Sequence, residues 1–95
     1  MSWALEIKKT EEKFDRVTIK DGVYTLGRTE CDINIDDAKA SKHHCTFYLH
    51  SEQLTVVDNA STNGTFVNGR RTEKRDLVNG DEIMIGTTEI RVVKC

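Results

Sequence analysis

Ninety-five residues suffice for one domain with a single two-layer core. With 37% hydrophobic residues, 32% charged residues and a net charge of −2, the composition suits a soluble globular chain. It argues against electrostatic binding of bulk nucleic acid, which calls for a strongly basic balance, yet leaves room for a small local anion site.

No apolar run approaches the ~20 residues of a membrane helix, and "MSWALEIKK" has no apolar stretch followed by a cleavage site. No membrane association or secretion is therefore expected. Cys31, Cys45 and Cys95 are odd in number and widely spaced, the pattern of reduced thiols in an intracellular protein rather than a disulfide frame.

In chain order the signals are those of strands. "WALEI" alternates Trp3, Leu5 and Ile7, "RVTI" is β-branched, and "VYTLGR" follows the turn Asp21-Gly22. The short "INI" comes next, then "CTFYLH", which alternates Cys45, Phe47 and Leu49. "LTVVD", "TFV", "EIMIG" and "EIRVV" complete the series. No window returns apolar residues at helical spacing. Short strands with turn residues between them predict an all-β fold, an antiparallel sandwich or a barrel. Its proportionately long loops, Thr29 to Asp32, Asp36 to His43 and Asn59 to Gly64, should gather where recognition resides.

Enzymatic readings find little support. Ser41 and His44 are three apart, which brings them together only on a helical turn or tight loop, and no acid is placed to complete a triad. "HHC" at His43 to Cys45 lacks the paired spacing of a structural zinc site, and neighbours entering a strand point to opposite faces. Neither a metal nor a cofactor is expected. The basic run Arg70, Arg71, Lys74 and Arg75 reads as a solvated loop or edge strand. With no aromatics interleaved, it does not resemble a single-strand stacking surface, and direct nucleic-acid binding is not expected.

Three polar segments have complementary contents. "LGR" places Gly27 and Arg28 at a strand end, "ASKHH" supplies Ser41 and Lys42, and "STNG" supplies Ser61, Thr62 and Asn63. An arginine fork and a hydroxyl suit a phosphate dianion, and an amide suits a peptide backbone. Leu26 to Arg28, "SKHH" at Ser41 to His44, and "STNGTFVNG" at Ser61 to Gly69 resemble the forkhead-associated (FHA) domain. The motifs Gly-Arg, Ser-x-x-His and Asn-Gly-Thr with a second Asn-Gly occur in order, and "NGDEIMIG" (Asn79 to Gly86) is similar to the penultimate-strand region.

The resemblance implies a β-sandwich of two antiparallel or mixed sheets with about eleven strands, covering residues 1–95 with a core of about 5–93. It implies a non-enzymatic module that binds phosphothreonine-containing protein segments. Arg28 and Ser41 would hold the phosphate. Lys42 stands where members carry varied residues that can also reach it. Asn63 would bond the peptide backbone, with Thr62 beside it and all of Ser61 to Gly64 turned toward the ligand. His44, Gly27 and Gly64 would support the loops, while Asn68-Gly69 would be a plain hairpin turn.

By family analogy the chain would be the N-terminal module of a larger nuclear protein, of the DNA-damage checkpoint type, or otherwise cytoplasmic. An alternative use is homodimerisation, with Trp3 either packing in the core or docking a second copy.

Overall fold

The computed structural model describes residues 2–95. They form β1 (Trp3–Lys8), β2 (Phe14–Ile19), β3 (Gly22–Gly27), β4 (Ile33–Asn34), β5 (Cys45–His50) and β6 (Gln53–Asp58). These are followed by β7 (Thr65–Val67), β8 (Arg70–Thr72), β9 (Lys74–Leu77), β10 (Glu82–Ile85) and β11 (Thr88–Lys94). There is no helix among the described residues.

One sheet has the order β2-β1-β11-β10-β7-β8 and the other β4-β3-β5-β6-β9. The first is antiparallel throughout. In the second, β3 pairs with β4 in parallel and the remaining pairs are antiparallel. The architecture is all-β, as the strand signals predict, and is the two-sheet sandwich that the resemblance implies rather than a barrel.

Period-two alternation turns one side of each sheet inward. Trp3, Leu5, Ile7, Ile83, Ile85, Ile90 and Val92 from the first sheet meet Leu26, Phe47, Leu49, Leu54, Val56 and Leu77 from the second. Trp3 is 2% exposed and donates its indole N–H to the Glu52 carbonyl at 3.1 Å, in the turn between β5 and β6. It is a core residue that ties the sheets together, and this removes the feature that pointed to docking of a second copy.

The basic run follows the second of its two readings and forms edge strands, two of them. The chain leaves the first sheet after β8 and enters the second at β9, and both are edge strands. Arg70 and Arg71 therefore belong to one sheet, and Lys74 and Arg75 to the other.

Strand register explains why the polar loops meet. Leu26 pairs with Cys45, and Cys45 with Asp58. One row across β3, β5 and β6 thus sets the end of β3, the start of β5 and the end of β6 side by side. The segments after Gly27, before Cys45 and after Asp58 all emerge at the same end of the sandwich.

Phe47 is the largest fully buried side chain in this packing. Phe47→Ala should lower stability by about 3–5 kcal/mol, a substantial part of the ~5–15 kcal/mol typical of a domain, read as a lower midpoint in urea denaturation.

Candidate functional site

The site begins with a close approach of two backbones. Past the β3–β5 ladder, Arg28 N–H donates to the Ser41 carbonyl at 3.0 Å and His44 N–H to the Leu26 carbonyl at 2.9 Å. Gly27 lies between these bonds. A Cβ built there would collide with the Lys42 carbonyl. The constraint is proximity, since Gly27 does not have a positive φ. Any side chain at this position would drive Arg28 away from the Ser41 loop.

His44 fastens that loop to the next one. It is fully buried, its Nδ1 accepts the Ser41 N–H at 3.0 Å, and its Nε2 lies 2.8 Å from the Gly64 carbonyl. With Nδ1 an acceptor, the proton belongs on Nε2, which donates to Gly64. The Ser41 hydroxyl accepts the Thr62 N–H at 3.0 Å, and Asn63 donates from Nδ2 to the Lys39 carbonyl at 2.7 Å. Arg28, Ser41, Thr62 and Asn63 are thereby brought onto one hydrogen-bonded ledge.

Arg28 is exposed and donates from Nη1 to the Ala40 carbonyl at 3.1 Å, with the Ala38 carbonyl more distant at 3.5 Å. It has no carboxylate partner among the described residues, nor have Lys39 and Lys42. A guanidinium carries five N–H donors, so most of its fork is open to a ligand. The Ser41 hydroxyl accepts from Thr62 and keeps its own hydrogen to donate. The Lys42 side chain is exposed, while its carbonyl accepts the Thr29 N–H and lies 3.1 Å from the Cys31 thiol.

Two carboxylates missed by sequence reasoning, a partly buried Asp58 and a buried Asp37, support these loops. Asp58 accepts the Ser61 hydroxyl at 2.5 Å, the Thr65 hydroxyl at 2.7 Å and the Ser61 N–H at 3.1 Å. Asp37 accepts from the Thr87 N–H and the Thr88 hydroxyl, each at 2.7 Å, and from the Lys39 N–H at 2.9 Å. It anchors the loop between β4 and β5 to the turn between β10 and β11. Burial pushes both carboxyls up, but the hydroxyl and N–H bonds that they accept outweigh it and hold them below the usual carboxylate range.

Three local expectations change. Ser61 does not face a ligand: it is buried, with its hydroxyl donating to Asp58 and accepting the Gly64 N–H at 3.0 Å. An acid does lie near His44, since Asp58 Oδ1 is 4.0 Å from Nε2. Yet both ring nitrogens bond backbone groups and the Ser41 hydroxyl bonds Thr62, so no relay runs through them. Finally, Asn68-Gly69 is more than a turn. Both residues have positive φ, as a tight hairpin requires, and the Asn68 amide also bonds Asp81 and the Glu82 N–H, each at 3.0 Å.

The FHA domain family model matches residues 24–86, more than half of the chain. The chain belongs to the FHA family. It is 35% identical over 83 residues to the glycogen accumulation regulator GarA of Mycobacterium tuberculosis, covering 86% of this chain and 51% of GarA. It is 36% identical over 83 residues to the oxoglutarate dehydrogenase inhibitor of Corynebacterium efficiens, covering 86% and 58% respectively. The chain thus spans about half the length of these curated relatives.

Among solved structures, an FHA domain studied for phosphothreonine-dependent interactions superposes with a TM-score of 0.92 at 25% identity, covering 100% of this chain and 98% of that one. The FhaA FHA domain, solved with the intracellular domain of Rv3910, gives 0.88 at 26% identity and covers 96% and 99%. The curated relatives are bacterial, and bacteria have no nucleus. This overturns the nuclear expectation, and the DNA-damage checkpoint setting that accompanied it loses its support.

Removing the His44 ring would leave the Ser41 N–H and Gly64 carbonyl without partners, at about 1–3 kcal/mol for each buried group. His44→Ala should therefore melt at a clearly lower temperature in calorimetry, and a variant with wild-type melting would contradict the bracing geometry. The lowered Asp37 and Asp58 carboxyls favour the folded state while ionised. Their contribution is present above about pH 4, the unfolded-chain value, and is lost as pH falls through the lower folded-state values. Melting temperature should drop along this acid limb, and Asp37→Asn should flatten it.

Proposed function

We propose that this chain is a phosphothreonine-dependent peptide-binding module of a longer regulatory protein, acting in the cytoplasm without catalysis of its own. The observation that carries the reading is the ledge on which an open Arg28 fork, a donating Ser41 hydroxyl and the Asn63 amide are held by buried bonds to His44 and by the Lys39 carbonyl. Membership of the FHA family supports it, as does the likeness to a domain studied for phosphothreonine-dependent interactions.

Arg28 and Ser41 hold the phosphate in this reading, with Lys42 reaching it from the same loop. A phosphothreonine carries close to two charges at neutral pH, with a second pKa of about 6. An Asp or Glu offers one charge and a planar head, so it is a poor mimic. Asn63 and Thr62 receive the peptide backbone, while Gly27, His44 and Gly64 keep the loops in register. Preference for threonine over serine begins with burial of one methyl group, about 0.8 kcal/mol or roughly fourfold.

Arg28→Ala tests the assignment. Loss of two charge-assisted bonds should weaken binding of a phosphothreonine peptide by about 100-fold or more, with melting temperature nearly unchanged, as read by titration calorimetry. Unchanged affinity would overturn the site. Wild-type affinity should also fall as pH drops below about 6 and the phosphate takes up a proton, measured against a peptide whose own side chains do not titrate there.

A further inference from the structure

Gly64 and Arg71 are neighbours across the β7–β8 pair. Phe66 is opposite Arg71, and Gly64 precedes Phe66 by two residues, so Gly64 and Arg71 are diagonal partners on the same face. A Cβ built on Gly64 would lie 2.8 Å from Arg71 Nε and 3.1 Å from Cζ. The charged end of Arg71 therefore rests where a side chain would otherwise stand. The backbone beneath it is fixed, because the Gly64 carbonyl goes to His44 and its N–H to Ser61. Gly64 has a φ of +91°, which also favours glycine there.

The next residue back is Asn63, whose amide is bonded to the Lys39 carbonyl. Arg71 thus borders the part of the ledge proposed to receive peptide backbone. Its side chain is exposed, donates no hydrogen bond and has no carboxylate within 4.0 Å among the described residues. Arg16, on the same sheet, shows the contrast: its Nη1 pairs with Glu6 at 2.8 Å. An arginine whose Nε edge lies over Gly64 and whose terminal nitrogens have no partner is arranged to receive an anion through those nitrogens.

We infer that Arg71 is a specificity-determining residue that selects an anionic side chain at one position flanking the phosphothreonine. The inference rests on the phosphothreonine reading and deepens it: the preferred ligand is a phosphothreonine peptide bearing a second acidic group. A carboxylate and a second phosphate share the required chemistry. The Coulombic gain of an exposed pair is modest, about two- to fivefold in affinity, so Arg71 tunes the choice of ligand while Arg28 makes binding possible.

The test is a set of phosphothreonine peptides in which each flanking position in turn carries Ala, Asp, Lys or phosphoserine. Each is titrated against the wild-type chain, Arg71→Gln and Arg71→Glu, with melting temperature recorded for every variant. At one position the wild type should prefer Asp or phosphoserine over Ala by about two- to fivefold. Whichever of the two binds tighter identifies the carboxylate or the phosphate as the source. Arg71→Gln should erase the preference, and Arg71→Glu should turn it toward Lys at that same position.

An acidic preference that persists in both variants, or no flanking preference in the wild type, would overturn the assignment. A role limited to covering Gly64 would lower the melting temperature of the variants and leave peptide selectivity unmoved. If Arg71→Glu fails to fold, Arg71→Gln still decides. If the wild type binds no phosphothreonine peptide, both readings fall. If it binds them and loses binding in Arg28→Ala without any dependence on Arg71, only this one does.

Discussion

The constraint on which the recognition end depends is the seam where the end of β3 runs against residues 41–44. It requires Gly27 to have no side chain, because the Lys42 carbonyl occupies that space, and it requires His44 to be buried with both ring nitrogens bonded to backbone. Once those two conditions hold, Arg28 cannot move independently of Ser41, nor Ser41 independently of Gly64. Loops of this kind ordinarily have many conformations to lose when a ligand binds. Here the ordering is done on folding, and less of the binding energy is needed to freeze side chains and backbone.

Carboxylates and cations divide the work at this end. Asp37 and Asp58 face inward and serve as acceptors for the protein's own N–H and hydroxyl groups. Arg28, Lys39 and Lys42 are exposed and have no ion pair among the described residues. The oxygens of Asp37 and Asp58 are thus taken up within the loops and do not neutralise these cations. A hydrogen-bonded carboxylate held below its usual range keeps this arrangement through the physiological pH range.

The strands and the site motifs were legible because they are local. Alternation in "WALEI" and "CTFYLH" fixed which side of β1 and β5 is buried, and Gly27-Arg28 with Ser41 and His44 stood at strand ends where a loop cluster could be expected. What escaped detection is long-range. Asp37 acts through Thr87 and Thr88, some fifty residues away, and Arg71 matters only because β8 folds back beside Gly64. Ser61 was misjudged for a different reason. A hydroxyl in a polar loop reads as exposed, whereas the turn from Asp58 folds it inward onto the carboxylate three residues earlier. Charge alone left β8 and β9 undecided between solvated loop and edge strand, since edge strands are commonly defended by the same lysines and arginines that mark a solvated loop.

A net charge of −2 places a limit on how such a site can work. The whole molecule does not attract anions from a distance, and the Debye length of about 8 Å at physiological salt confines each exposed cation to its own neighbourhood. Long-range steering therefore contributes little to capture of a phosphopeptide. In the function proposed, discrimination comes from contact: two charges within reach of an open fork, a donor hydroxyl, and an amide assigned to the peptide backbone. A ligand that leaves any one of these unmet loses a hydrogen bond. The rigidity that begins at Gly27 and His44 therefore stabilises the loops and also sets their selectivity.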